Sequence, residues 1–442
     1  MKTIADALKR NSLRFENKEA IVDATSRLTF SELNRRVNRI ANALDLLDDP
    51  TGGRIGVLSK NSYHYLEIYF AAAKLGRCVV PLNFLLPDDE VQHLLEESEI
   101  TCCFVGEDNE DRAESIRERS STVLNWLTLT RRRKGFLFYD DLLDQASEDE
   151  PISNVDKNQM AMLVFTRGTT GRPKGVMLSH QNVMNSALSM MALMKIRPTD
   201  VGCCVLPFYN TEVISAFCML MAGGKVIINR NVDAVEILKL IQNERCTHIN
   251  LIPTLFGWLH QHAEFERYNI SSLKLMTYSG KFYETDNLLQ CIKKYWKPFI
   301  QWYGSTETAG CSVTALDPQD HILEGPKSNR LASAGRPLDG VKIGIVDNRN
   351  CRLDPGEIGE IVVKSRNIML GYWKQPELTR QVLKDGWLHT GDVGYIDENG
   401  YLYVLGRKNN KRNTRPRYID TDHFFGCEFS TEERSNYVAC SL

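Results

Sequence analysis

Leu163-Val-Phe-Thr-Arg-Gly-Thr-Thr-Gly-Arg-Pro-Lys-Gly-Val176 is the segment from which the rest of the chain becomes readable. Its first residues close the apolar run 160–166, which predicts a buried strand. That strand runs into a loop carrying Gly168, Gly171 and Gly175, the hydroxyls of Thr166, Thr169 and Thr170, and the cation of Lys174. Glycines let backbone N–H groups turn inward onto an anion, hydroxyls add donors, and a lysine neutralises phosphate charge. The order Lys174-Gly175 sets it apart from a Walker A loop, in which Gly-Lys is followed by Ser or Thr.

Outward from this loop, apolar runs alternate with amphipathic stretches from about residue 55 to 305. Strands are predicted over 54–59, 78–82, 160–166, 202–207, 225–229, 247–252, 273–278 and 299–303. Helices are predicted over 65–75 and 232–244, the second capped by Asp233. The apolar run 213–224 has the length of a buried core helix and falls well short of the ~18 residues of a membrane span. Strands alternating with helices imply parallel sheets covered on both faces, with ligands at the C-terminal ends of the strands. After residue 335 short strands over 341–347, 359–364, 387–397 and 401–406 suggest a small antiparallel unit, with Asn399-Gly400 as a hairpin turn. The fold class is therefore α/β: two doubly covered, mainly parallel sheets plus a small antiparallel β subdomain. The division expected is 1–406, with parts at 1–160, 161–334 and 335–406, followed by an atypical basic tail over 407–442.

A length of 442 residues exceeds what one core supports, and 54 Lys+Arg against 56 Asp+Glu removes the footprint of a nucleic-acid binder. The N-terminus has no apolar signal-peptide core, so a cytoplasmic protein without an integral membrane segment is expected. The twelve cysteines are scattered without a Cys-x-x-Cys pair and read as reduced packing residues. His260 and His262 would face different sides of a helix, which argues against a zinc site. Arg131-Arg132-Arg133-Lys134 reads as solvated surface, and His180 as a helix-start residue rather than a catalytic base.

The Gly/Thr-rich segment resembles the phosphate loop of the adenylate-forming superfamily, which includes acyl- and aryl-CoA synthetases, luciferases and peptide-synthetase adenylation domains. Trp302-Tyr-Gly-Ser-Thr-Glu307 resembles its aromatic-Gly-x-Thr-Glu motif. Ser333-Ala-Gly-Arg-Pro337 and Gly356-Glu-Ile-Gly-Glu360 resemble the stretches opening its third subdomain. Gly386-Trp-Leu-His-Thr-Gly-Asp392 with Gly406-Arg407 resembles its ribose-binding elements. The resemblance covers roughly residues 10–410 and implies ATP-dependent activation of a carboxylic acid to an acyl-adenylate, then a thioester with CoA. It implies that Thr166, Gly168, Thr169, Thr170, Gly171 and Lys174 grip the β- and γ-phosphates. Thr306 would contact the α-phosphate and Glu307 would hold Mg²⁺. Tyr303 would stack on adenine, next to Gly304, with Ser279-Gly280 at the pocket edge. Asp392 would accept the ribose hydroxyls, reinforced by Arg407. ATP, Mg²⁺ and CoA are thus the implied cofactors, and a carboxylic acid, fatty or otherwise, the substrate; a separate acyl carrier is an alternative acceptor.

The chain also departs from that pattern. Arg167 adds a charge inside the phosphate loop. Asn210 stands where the family often has His or an aromatic at the acyl pocket, and Lys281 replaces a small residue, where it is either a solvated lysine or faces a polar or second acidic group on the substrate. Asn409 follows Arg407-Lys408 at the hinge, six of the eleven residues 407–417 are Lys or Arg, and the 35 residues after Arg407 match neither the loop nor the lysine of the family's lid domain. Three readings stay open: an acyl-CoA synthetase-type ligase, an ATP- or acyl-adenylate-binding protein without turnover, and an impaired product of truncation or frameshift.

Overall fold

The computed structural model describes residues 1–47, 53–152, 154–166, 173–279, 285–295 and 297–408. Arg167, Gly168, Thr169, Thr170, Gly171, Gly280, Lys281 and the tail from Asn409 lie outside the described residues. Among the described residues three sheets form, of nine, eight and five strands. The nine-stranded sheet has a parallel centre, in spatial order Phe299–Ser305, Leu275–Ser279, His248–Leu251, Val201–Cys204, Lys225–Ile228 and Glu19–Val22, with antiparallel strands at both edges. The eight-stranded sheet is parallel from Met160–Thr166 through Val79–Pro81, Arg54–Leu58, Ile100–Val105 and Asn125–Thr128 to Leu137–Phe138. The five-stranded sheet, built from residues 342–407, is antiparallel throughout. The α/β class and the antiparallel C-terminal unit are as the sequence predicts.

Sheet membership does not follow chain order. Glu19–Val22 and Arg27–Thr29 join the nine-stranded sheet, whereas Met160–Thr166, Lys174–Ser179 and the late strand Gly371–Tyr372 belong to the eight-stranded one. Divisions at 160 and 334 therefore do not coincide with the sheets.

Both large sheets are covered on two faces. Helices Ile4–Arg14, Phe30–Leu46, Tyr63–Leu75, His180–Leu193 and Val213–Met221 share one buried cluster with apolar residues of both sheets, among them Ile21, Val226, Val57 and Val164. Tyr63–Leu75 is buried along 64–74, as an apolar helix held on all sides must be. Phe30–Leu46 is amphipathic and opens with a capping box: the Glu32 N–H donates to Thr29 Oγ1 (3.2 Å) and the Thr29 N–H to Glu32 Oε2 (2.8 Å). Ala234–Asn243 and Pro253–Gln261 cover the outer face of the nine-stranded sheet, Asp88–Glu97 and Glu110–Arg117 that of the eight-stranded one. Asp233 caps Ala234–Asn243 as expected, its carboxylate accepting the Glu236 N–H at 2.8 Å.

Three surface readings are refined. The basic run is not simply solvated: Arg131 pairs with Glu110, Arg132 with Asp141, and Arg133 with Asp111 and Glu114, so it fastens a loop to the helix Glu110–Arg117. His262 lies beyond the last turn of Pro253–Gln261, with extended backbone, so the two histidines do not share a helix. The ten described cysteines are free, and eight of them are buried.

Candidate active site

The strand Met160–Thr166 folds back antiparallel on Lys174–Ser179, with Thr166 opposite Lys174. Thr166 and Lys174, which flank the loop read from the sequence, are therefore held opposite one another by backbone pairing. Lys174 and Gly175, read as loop, are strand. The free side of Lys174–Ser179 is taken by Gly371–Tyr372, pairing Gly371 with Met177 and Tyr372 with Val176. Backbone bonds extend the seam: the Leu370 N–H donates to the Met177 carbonyl (2.8 Å) and the Trp373 N–H to the Gly175 carbonyl (2.7 Å).

This seam brings Glu307 to the Lys174 end of the strand pair. The Met369 N–H donates to the Glu307 carbonyl at 2.8 Å, and the Tyr372 hydroxyl donates to Glu307 Oε1 at 2.8 Å. Lys174 Nζ lies 5.5 Å from the centroid of the same Tyr372 ring. Burial, then the Glu307 charge, push the Tyr372 phenol up, so it stays a donor. Tyr372 thus ties the lysine and the carboxylate to one another. Sequence reading missed it; the only local signal is the tandem of aromatics in Gly371-Tyr372-Trp373.

Glu307 sits on a tight turn, Thr306–Thr308, that follows Phe299–Ser305. The Ser305 N–H donates to Thr308 Oγ1 at 2.9 Å, and the turn closes with Ala309 at φ +55°, a left-handed conformation that costs a non-glycine residue roughly 1–2 kcal/mol. The Ser186 hydroxyl clamps the Ala309 carbonyl at 2.8 Å and holds that strain in place. Gly304 is required here by close approach: a Cβ at this position would lie 2.2 Å from the Gly310 carbonyl oxygen. Thr306 is buried at the start of the turn.

Asp392 approaches from the five-stranded sheet, where it pairs with Arg407 across Trp387–Ile396 and Leu402–Arg407. It is 3% exposed. Its Oδ2 accepts the Tyr303 hydroxyl at 2.7 Å, and Arg407 Nε lies 2.8 Å from its Oδ1. Burial raises the Asp392 carboxyl above its ordinary range; Arg407 and Tyr303 oppose this, while Glu307 and Glu360 add to it. Next to it Glu360 accepts the Gly391 N–H (3.3 Å) and pairs with Lys408 (3.2 Å) and His389 (3.3 Å).

Of the sequence-predicted site residues, the structure brings Lys174 and Glu307 together through Tyr372, and Tyr303, Asp392 and Arg407 through one carboxylate. Thr166, Ser279, Gly304 and Thr306 lie at strand ends or on the turn beside them. Asn210 lies apart from these bonds, its Oδ1 accepting the Glu212 N–H at 2.9 Å. His180 starts its helix, as read, and burial pulls its imidazole down to about 4, which leaves it neutral. Glu307 is the carboxylate suited to a hard cation. Among the described residues no group of three His, Cys, Asp or Glu side chains could cage a metal, so such an ion would need oxygens from a bound phosphate.

A family model described as AMP-binding enzyme matches residues 8–373. A feruloyl-CoA synthase of Amycolatopsis sp is 31% identical over 382 residues, covering 86% of this chain and 73% of that protein. The fatty acid–[acyl-carrier-protein] ligase ScoC of Streptomyces coeruleorubidus is 30% identical over 387 residues, covering 86% and 72%. The inhibitor-bound N-terminal domain of FACL13 from Mycobacterium tuberculosis superposes with a TM-score of 0.84 at 27% identity, covering 92% of this chain and 100% of that one. Among the described residues no helix is long and apolar enough to cross a membrane.

Proposed function

Since the chain belongs to the AMP-binding enzyme family, we propose that it activates a carboxylic acid with ATP and passes the acyl group to the thiol of CoA. The acid's carboxylate oxygen bonds to the α-phosphorus as the bond to pyrophosphate breaks; the thiolate then bonds to the acyl carbon and AMP leaves. The observation that carries this reading is the convergence on one strand end of a lysine-bearing hairpin, a Thr-Glu turn and a buried carboxylate.

In this reading Lys174, with Thr166 and the glycines and threonines of 168–171, holds the departing pyrophosphate. Thr306 donates to the α-phosphate, whose charge grows in the transition state; fixed donors aimed at such charge are each worth roughly 10²–10³ in rate. Mg²⁺, carried in with ATP, would supply Lewis-acid neutralisation of the phosphate oxygens, and Glu307 would hold it. Asp392, already fixed by Tyr303 and Arg407, accepts from the ribose hydroxyls, and the Tyr303 ring offers its face to adenine, with Gly304 keeping the backbone clear and Ser279-Gly280 at the edge. The feruloyl and fatty-acid relatives support the class of acid without fixing its tail, and the carrier-protein ligase supports a separate acyl carrier as the alternative acceptor.

Pyrophosphate release with ATP, Mg²⁺ and a panel of acids, run with and without CoA, tests both half-reactions. Acid-dependent release that falls by about 10²-fold in Lys174→Ala is expected. Nucleotide binding without release for any acid would favour a binding protein over an enzyme; no nucleotide binding would overturn the reading.

A further inference from the structure

Beside the nucleotide residues lies a polar cluster that the adenylation chemistry does not use. The segment 206–212 leaves the C-terminal end of the strand Val201–Cys204 and is pinned by Asn61, whose Nδ2 donates to the Leu206 carbonyl (3.0 Å) and whose Oδ1 accepts the Phe208 N–H (2.8 Å). It ends at Glu212, directly before the helix Val213–Met221. The Glu212 carboxylate accepts one hydrogen bond among the described residues, from Asn250 Nδ2 at 2.6 Å. Asn250 is fixed in turn by the Thr277 hydroxyl at 2.9 Å, on the adjoining strand in register. Asn210 spends its Oδ1 on the Glu212 N–H, and its Nδ2 is buried with no partner among the described residues.

A buried amide N–H₂ without a partner costs of order 1–3 kcal/mol. Asn210 Nδ2 is such a group, and two residues on the Glu212 carboxylate keeps lone pairs beyond its one bond from Asn250. Their position says what could satisfy them. Asn250 and Thr277 sit near the C-terminal ends of parallel strands, where α/β proteins take their ligands. Thr211 packs on Gly310, since a Cβ added at Gly310 would meet Thr211 Oγ1 at 3.2 Å, so the segment lies against the Thr306–Thr308 turn. Cys311, next to Gly310 on the strand Gly310–Leu316, has its thiol raised first by burial and then by the Glu212 charge, which sets the cluster beside that strand.

We propose that Asn210 and Glu212 form the recognition point for the non-reacting end of the acid, and that they select acids bearing a hydroxyl or amino group over plain hydrocarbon ones. The substrate's O–H or N–H donates to the Glu212 carboxylate, and its oxygen or nitrogen lone pair accepts from Asn210 Nδ2. This rests on the adenylation reading above, because it takes the acid's carboxylate to lie at the Thr306–Glu307 turn.

The test uses N-acylsulfamoyl adenosines, stable stand-ins for the acyl-adenylate, with cinnamoyl and 4-hydroxycinnamoyl tails and with dodecanoyl and 12-hydroxydodecanoyl tails. Binding to the full chain is measured by calorimetry. In at least one pair the hydroxylated probe is expected to bind roughly 10–100-fold tighter, as a hydrogen bond to a charged group supplies. Glu212→Leu should abolish that gap while keeping affinity for the hydrocarbon probe. If Glu212→Leu binds nothing, Glu212→Gln, which conserves shape, decides by the same criterion. Binding of all four probes with no gap in wild type, or a gap unchanged in the variant, overturns this inference alone. Binding of none overturns the adenylation reading and this inference with it.

Discussion

Glu212 also makes a claim about stability that needs no ligand. Burial lifts its carboxyl from 4.5 to about 7, with the Asn250 hydrogen bond opposing the rise. The sign follows from proton counting: between pH 4.5 and 7 the folded chain binds more protons at this site than the unfolded one, so stability falls as pH rises through that window. At about 1.36 kcal/mol for each pH unit, the folded state has lost roughly 3 kcal/mol by pH 7 and above. Glu212→Gln keeps an acceptor for Asn250 and never ionises. Its advantage over wild type should therefore be near zero at pH 4.5, grow through pH 6, and level off above pH 7 at roughly 2–3 kcal/mol. Urea denaturation of both proteins at half-unit intervals from pH 4.5 to 8.5 reads this directly. A difference that stays constant across the range would refute the reasoning, because it would mean that the carboxyl titrates alike in both states. A difference of opposite slope would mean that a cation meets the carboxylate and holds it ionised.

Three further outcomes are expected. Tyr372→Phe, which frees Glu307 from its hydroxyl donor, should slow pyrophosphate release by roughly tenfold and raise the Mg²⁺ concentration needed for half-maximal rate, and an unchanged Mg²⁺ titration would count against Glu307 as its holder. Gly304→Ala should cost about 1–3 kcal/mol in thermal or urea unfolding, since its Cβ would meet the Gly310 carbonyl oxygen at 2.2 Å and one of the two strands must yield. Glu67→Ala should cost about 3–5 kcal/mol, because Glu67 is fully buried and shared by Arg36 Nε (2.5 Å) and the Tyr139 hydroxyl (2.7 Å); melting indistinguishable from wild type would show that the pair is replaceable.

What the sequence discloses and what it hides divide along physical lines. Met160–Thr166 and Gly359–Lys364 match their predicted spans to the residue, because each is an apolar or β-branched run bounded by turn formers. Lys174–Ser179 escaped, since its first two residues are a lysine and a glycine and only its partner strand makes it extended. The first 47 residues went unread although Thr29 and Glu32 spell a capping box, and their strands belong to a sheet completed much later in the chain. The Thr306–Thr308 turn, and the Asp392 and Arg407 that share one ion pair, lie in stretches legible as local motifs. Tyr372 and Glu212 were not, because each is defined by a partner far along the chain, Glu307 and Asn250 respectively, and a single polar residue carries no sign of whether it will be buried.

The pairing of Ile21 with Val226 sets a condition on how this chain can be made. As it emerges from the ribosome, the strand Glu19–Val22 must wait for roughly 200 residues before its parallel neighbour exists. At about 5–20 residues per second this is a delay of roughly 10–40 s. Through that interval Ile21 and Val22, which end at 0% and 4% exposed, have no sheet to enter beyond the short hairpin with Arg27–Thr29. Nascent chains stalled before Lys225 should therefore be the ones that engage chaperones through their first thirty residues, and release should coincide with the arrival of Lys225–Ile228.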